Sequence, residues 1–187
     1  MKTTLLVLTF CFGSLLFAQT TTPDLLTRLP DWKTEIIAFP FGFAPSIPYK
    51  GYEDLRFAPN WSDSTHTQFW TYVIAWSIDE KKPVSKKDLS THIKAYYDGL
   101  MRVKAINTGN SKPATALKLK QKGKQFRGTM QVYDNFFTHK VITLYLEIEQ
   151  YYCTTLNRRI VQFRISKQHF EHPFWQTIRT VKVEAAC

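Results

Sequence analysis

The sequence predicts an α+β fold: an antiparallel β-sheet of about six to seven strands, with one long helix (about 85–104) and a C-terminal helix (about 173–183) packed on it. Three observations lead to this prediction. Alternating apolar residues mark several short strands, and one apolar stripe at helical spacing marks the long helix. After Pro113 the connections have hairpin length, which favours antiparallel neighbours. This order of elements is typical of helices packed on an antiparallel sheet.

The first 18 residues have the pattern of a cleaved signal peptide. Lys2 provides a positive start, and residues 5–18 form a run without charge that ends at the small residue Ala18. A membrane-spanning helix needs about 20 apolar residues, so this run is too short to be one. We therefore expect a secreted or periplasmic protein with no membrane span after cleavage.

The rest of the chain divides into a flexible lead-in over residues 19–31 and one α+β domain over residues 32–187. Prolines punctuate residues 32–61 and exclude a long helix or a central strand there; they are Pro40, Pro45, Pro48 and Pro59. We expect two short edge strands in this stretch, at 34–39 and 54–58, with an irregular loop between them.

Residues 68–79 form the clearest predicted strand. Its large apolar residues alternate onto one face, namely Trp70, Tyr72, Ile74, Trp76 and Ile78. The residues between them are small or β-branched, namely Thr71, Val73, Ala75 and Ser77. This pattern predicts a strand whose two faces are both covered.

The long helix begins at Ser85, which is suited to cap it, with Asp88 three residues later as the capping-box partner. Its apolar stripe consists of Leu89, Ile93, Tyr96, Tyr97, Leu100 and Val103. Four strands are predicted after it, at 115–121, 125–133, 140–152 and 158–166. Pro173 then opens the last helix.

This order of elements resembles the PsbP-like fold, an antiparallel sheet with flanking helices that occurs in extracytoplasmic and photosynthetic accessory proteins. The resemblance covers about 130 residues and includes no diagnostic motif. The stretch 39–61 and the sequence His-Pro-Phe-Trp-Gln-Thr at 172–177 are also similar to a group of exported bacterial proteins of unknown function. Neither resemblance implies an activity.

Charge and cysteine content narrow the range of partners. The net charge is +10, or +9 without Lys2, which favours an anionic ligand or envelope component. Export makes nucleic acid an unexpected partner.

Two cysteines survive cleavage, Cys153 and Cys187, and an even pair in an oxidising compartment predicts a disulfide. On the chain-entropy view this bond stabilises the fold by roughly 3 to 4 kcal/mol.

One face of the last four predicted strands, the outward sheet face, carries mainly charged residues and tyrosines. Its acidic third strand lies between two basic strands, which predicts cross-strand charge pairs. Such a face is either a solvated network of ion pairs or a platform for a polar ligand. For the platform, the candidate ligand-binding residues are Arg127, Tyr133, Tyr145, Glu147 and Arg164.

A second cluster combines Asp63, Ser64 and His66 in one loop before the central strand. These residue types form hydrolytic triads when a carboxylate orients an imidazole that reaches a hydroxyl. Adjacent positions in a loop do not ensure that geometry, and Asn, Ser and Asp side chains also build turns.

His169 and His172 are too few for a zinc site, so no metal is expected, and no motif indicates a cofactor.

These observations favour an exported, non-enzymatic binding or accessory module. Two alternatives stay open. One is a small extracytoplasmic hydrolase with a site near Asp63 and His66. The other is a docking protein of an envelope assembly that uses the outward sheet face.

Overall fold

A computed structural model describes residues 24–103, 113–184 and 187, and the predicted signal peptide lies outside these residues. The fold is α+β, as predicted. In chain order the elements are β1 (Lys33–Ala38), β2 (Gly51–Phe57), β3 (Tyr72–Ile78), α1 (Lys86–Val103), β4 (Ala116–Lys122), β5 (Gln125–Tyr133), β6 (Val141–Cys153), β7 (Arg158–Ser166) and α2 (Phe174–Thr180).

The seven strands form one antiparallel sheet in the order β1-β2-β3-β7-β6-β5-β4. Two meanders, β1 to β3 and β4 to β7, meet where β3 pairs with β7. Helix α1 carries the chain from the centre of the sheet to its far edge at β4. The prediction that residues 54–58 form an edge strand is wrong: β2 lies between β1 and β3, because the four prolines fall outside residues 51–57 and leave every ladder N–H in place.

The first face of the sheet packs on α1 and forms the main core. The alternating apolar residues predicted at 68–79 lie in this core, with Trp76 at its centre against Tyr96 and Phe163. The strand itself begins only at Tyr72, because residues 67–70 form turns in which Trp70 has a positive φ of 51°.

Ser85 caps α1 as predicted, since the backbone N–H of Asp88 donates to Ser85 Oγ at 3.1 Å. Among the described contacts the Asp88 carboxylate accepts the Ser85 hydroxyl at 2.7 Å and not the Ser85 backbone N–H, so the reciprocal bond of a capping box is not formed.

The second face is covered by α2 and by residues 24–29, which confirms that β3 is covered on both sides. Val73 and Ala75 pack there against Trp175 and Ile178 of α2. The small residues predicted for this face of β3 allow the covering segments to approach closely.

Residues 24–29 are ordered against the sheet, so the prediction of a flexible lead-in is corrected for this part. Leu26 is completely buried. The Asp54 carboxylate accepts the backbone N–H groups of Leu25 and Leu26 at 2.7 and 2.9 Å, and Arg56 donates to the carbonyl oxygen of Leu26 at 2.6 Å. Asp54 and Arg56 also pair with each other. A buried ion pair therefore anchors this segment to β2.

Helix α2 is shorter than predicted, because its C-terminal continuation joins the same covering layer. Val181 is extended, and its carbonyl oxygen accepts a hydrogen bond from the side chain of Gln162 at 2.9 Å. Val183 then pairs with Leu26 in an antiparallel bridge. The predicted disulfide between Cys153 and Cys187 is present and closes this layer onto β6. None of the helices in the described ranges is long and apolar enough to cross a membrane.

Candidate functional site

A cavity of about 610 Å³ opens on the α1 side of the sheet, between β1, β2 and the C-terminal half of α1. We call it the apolar cavity. Most of its wall is aromatic or aliphatic, and its half-buried members are Ile37, Phe43, Phe57, Trp61, Leu100 and Phe136. Strand β1 forms the rim, because its residues 33–36 are exposed and no helix covers this end of the described sheet.

The rings of the wall support one another through edge contacts. Trp61 packs against Phe57 with ring centroids 4.7 Å apart and against the edge of Phe137 at 5.5 Å. Phe43 meets the edge of Tyr96 at 5.0 Å. Because each ring has several aromatic neighbours, the wall keeps its shape without a ligand.

A tight loop fixes Phe136 in this wall. The buried carboxylate of Asp134 accepts the backbone N–H groups of Phe136, Phe137 and Thr138 at 3.0, 3.1 and 2.8 Å. The Thr138 hydroxyl donates to the same carboxylate at 2.7 Å. One side chain thus satisfies the loop backbone and sets the direction of both phenyl rings.

Phe43 reaches the cavity because the proline-rich loop touches the backbone of α1. A Cβ atom at Gly99 would overlap the carbonyl oxygen of Phe43. Glycine is the only residue that allows this approach in the interior of a helix. The contact therefore fixes the distance between the loop and the helix at one side of the cavity.

Tyr96 lines the cavity, and its hydroxyl contacts the fully buried carboxyl group of Glu53, which lies behind the wall and does not itself line the cavity. Its two hydrogen-bond donors are uncharged: Trp76 Nε1 at 2.6 Å and the Tyr96 hydroxyl at 3.0 Å. Burial raises the pKa of Glu53 to about 8, although both hydrogen bonds act to lower it. At neutral pH this carboxyl is therefore mainly protonated, and it places no charge behind the Tyr96 part of the wall.

A second concave region of about 600 Å³, the polar cleft, lies on the other face of the sheet beside α2. It brings together three of the predicted ligand-binding residues, Arg127, Glu147 and Arg164, which stand in register on β5, β6 and β7. Glu147 is 6% exposed and lies between Arg127 at 2.6 Å and Arg179 of α2 at 2.7 Å. The hydrogen bond from Arg179 to Glu147 raises the pKa of that guanidinium. The predicted cross-strand charge pairs are thus confirmed.

The charges of the polar cleft are largely satisfied within the protein. Arg164 is 5% exposed and donates to Gln162 at 3.0 Å and to the carbonyl oxygen of Val181 at 3.4 Å. It also pairs with Glu149 at 3.4 Å. The picture of an open, solvated face is therefore wrong here, because α2 and its continuation cover this part of the sheet.

The other two predicted ligand-binding residues lie outside the polar cleft. Tyr133 lines a small cavity of about 110 Å³ beside Asp98 and Met101 of α1. The ring of Tyr145 packs against His169 at 4.9 Å and Phe170 at 5.3 Å, in the segment that leads into α2. The structure thus brings three of the five residues together and leaves two in separate packing contacts.

In the loop with Asp63, Ser64 and His66 the hydrogen bonds are those of a turn. Asp63 accepts the backbone N–H and the hydroxyl of Thr65 at 2.9 and 2.7 Å, and these bonds lower the pKa of its carboxyl. His66 Nδ1 accepts the backbone N–H of Gln68 at 3.1 Å, and its Nε2 lies 3.4 Å from the side-chain amide of Asn60. Among the described residues no carboxylate orients either imidazole nitrogen, whereas a triad requires one.

Within the described residues, no group of three or more His, Cys, Asp or Glu side chains is arranged to hold a metal ion. His172 instead serves the start of α2, where its Nδ1 accepts the backbone N–H of Phe174 at 3.2 Å.

No protein family, curated protein or solved structure matches this chain. The two resemblances described above therefore stay predictions.

Sequence reasoning did not predict the apolar cavity. Phe57 and Leu100 fall within the predicted strand and helix, but those patterns do not indicate a shared cavity. Glu53 was missed, although its parity on β2, two residues before Leu55, indicates an inward side chain. The sequence signal for Glu53 is therefore an ionisable residue at a position of the strand that faces the core.

Proposed function

We propose that this protein is an exported, non-enzymatic binding module that holds a small, mainly apolar ligand in the apolar cavity. The observation that carries the proposal is a cavity of about 610 Å³ whose wall is mostly aromatic and aliphatic. Ligand sites have volumes of about 300–1,000 Å³ and are mostly apolar with few polar groups.

The polarity of the wall favours a neutral or cationic ligand over an anion. Glu35, at the exposed rim, is the only charged residue that lines the cavity among the described residues. Its carboxylate repels an anionic head group and attracts a cationic one. Inside the cavity, burial of apolar ligand surface contributes about 25 cal/mol per Å².

The packing around the cavity indicates a preformed site. Asp134 holds Phe136 through its loop, and the Gly99 contact holds Phe43. A wall that is ordered before binding loses little side-chain entropy when the ligand enters. This favours affinity for a ligand of matching shape over adaptation to many ligands.

A neutral fluorescent probe tests the proposal. We expect the oxidised mature protein to bind N-phenyl-1-naphthylamine saturably at one site, with increased fluorescence. Leu100→Lys places an ammonium group in the wall and is expected to weaken binding by at least about 10-fold, equivalent to about 1.4 kcal/mol. Leu117→Lys is the matched control, since Leu117 is also half-buried but does not line the cavity.

Two results would contradict the proposal. One is the absence of saturable probe binding by the folded wild-type protein. The other is an equal loss of affinity in Leu100→Lys and Leu117→Lys, because this would show that the probe reports general loosening of the core. Circular dichroism of both variants establishes that they are folded before the comparison is made.

A further inference from the structure

Strand β4 presents a row of lysines on the sheet face opposite to the apolar cavity. Lys118, Lys120 and Lys122 are all exposed, and Leu117 and Leu119 between and before them turn toward the core. Residues two apart on a strand are about 7 Å apart. We call these three residues the lysine strip. It runs along an edge strand of the described sheet, next to β5.

The lysine strip borders a groove of about 560 Å³. Its other side is formed by Arg127 and by Phe170 from the segment before α2. The Arg127 guanidinium lies over the Phe170 ring at 5.2 Å, and Lys120 stands in register with Arg127. The groove therefore combines a line of cations with a cation–aromatic wall, parallel to the strand direction.

The charge of this region is strongly one-sided. Residues 113–133 contain no Asp or Glu and carry five cations, namely Lys118, Lys120, Lys122, Lys124 and Arg127. Arg127 pairs with Glu147, whereas the four lysines form no ion pair with any residue in the described part of the chain. Lysines on an edge strand also discourage pairing between sheets. Protection of the edge strand from such pairing explains the lysines but not the groove beside them, nor the wall that Arg127 and Phe170 form.

We propose that this groove binds an acidic polysaccharide, which lies extended along β4. A linear polyanion matches both the spacing of the cations and the concave shape. A bilayer is a poorer match, because the groove is recessed and the large exposed apolar residues of the described chain, Ile36, Val103 and Val141, do not line it. This site is separate from the apolar cavity, so neither proposal depends on the other.

Calorimetric titration with two acidic polysaccharides tests this site. Polygalacturonate carries carboxylate groups, and heparin carries mainly sulfate groups. We expect binding that weakens as the salt concentration rises, because the lysine side chains release the counterions that are condensed on the polymer. The variant Lys118→Gln/Lys120→Gln/Lys122→Gln should lose at least about 10-fold in affinity. The control Lys86→Gln/Lys87→Gln/Lys94→Gln removes the same charge from exposed positions of α1 and should stay within about 2-fold.

Three outcomes would overturn the proposal. Equal losses in both triple variants would show that net charge alone attracts the polymer. Strip-dependent binding to phosphatidylglycerol vesicles without binding to either polysaccharide would identify a membrane surface instead. Unchanged polysaccharide affinity together with new self-association of the strip variant would show that the lysines only protect the edge. Lys120→Glu, a single change, provides a second variant if the triple variant is unstable.

Discussion

Trp76 donates its indole N–H to the carboxyl group of Glu53 at 2.6 Å in the middle of the aromatic core. The only other donor to this carboxyl is the Tyr96 hydroxyl, so no cation compensates its burial among the described contacts. A carboxyl in this environment is more stable protonated than ionised. The fold therefore carries a group whose protonation couples the core to pH.

Glu53→Gln should remove a pH dependence of stability. The folded carboxyl has a raised pKa of about 8 against 4.5 in the unfolded chain, so its contribution is complete below about pH 4.5 and is lost as pH rises to about 8. The slope is at most about 1.4 kcal/mol per pH unit. Urea unfolding across this window should show a flatter profile for the variant than for the wild type.

The exposed carboxyl of Glu80 provides the control for that experiment. Glu80→Gln removes the same charge at the surface and should follow the wild-type profile. If Glu53→Gln and the wild type change in parallel between these pH values, Glu53 is ionised in the folded protein and our assignment is wrong.

Asp54→Ala should detach the segment 24–29. It removes the acceptor for Leu25 and Leu26 and leaves Arg56 buried without its carboxylate partner. The loss of one partner from a buried ion pair costs about 3–5 kcal/mol. Urea unfolding measures this loss, and limited proteolysis should cut the segment faster. Asp63→Ala, at an exposed turn, should change stability by less than about 1 kcal/mol; a similar change in both variants would contradict the anchoring role.

Gly99→Ala should destabilise the protein, although alanine is usually favoured in helices by about 0.5–1 kcal/mol. The added Cβ would overlap the carbonyl oxygen of Phe43, so loop and helix must separate. We expect a loss of about 1–3 kcal/mol and weaker probe binding in the apolar cavity. Lys94→Ala, at an exposed position of the same helix, should be neutral in both assays. A stabilised Gly99→Ala variant would show that the loop does not constrain the helix.

Removal of both cysteines should weaken the layer that covers the second face. Cys153→Ala/Cys187→Ala opens a link of sequence separation 34 and should cost roughly 3 to 4 kcal/mol in chemical unfolding. Dithiothreitol should lower the stability of the wild type by a similar amount and leave the variant unchanged. An equal effect of the reductant on both proteins would show that the bond is absent in solution.

The elements of the fold were predictable where local periodicity was strong. Strand β3 and helix α1 each have one large apolar face, and their patterns identified both elements. The bounds of α1 were nearly correct, whereas β3 begins four residues later than predicted. The position of β2 within the sheet was not predictable. Prolines close to a strand favour an edge position, but they are also compatible with an interior strand when they lie beyond its ends, as they do here. The end of α2 at Thr180 was likewise not predictable, because the extended segment after it is held by tertiary contacts such as the hydrogen bond from the Gln162 side chain to the carbonyl oxygen of Val181.

The candidate sites show the same division. Cross-strand charge pairing of Arg127, Glu147 and Arg164 follows from parity and strand order, so the sequence indicated their neighbourhood. Whether they face solvent depends on what covers them, and α2 buries Glu147 and Arg164. The apolar cavity joins residues from five separate segments, and no local pattern reports such a meeting.

The sequence by itself determined the α+β class, the central strand, the Ser85 cap of α1 and the pairing of Cys153 with Cys187. Each of these depends on residue type and short-range periodicity or on an even number of cysteines. Only the tertiary structure decided that the Glu53 carboxyl is enclosed by Trp76 and Tyr96, and that Gly99 admits Phe43 to one wall of a cavity. Both depend on distances between segments far apart in the chain. Those distances are set by the packing of the whole core.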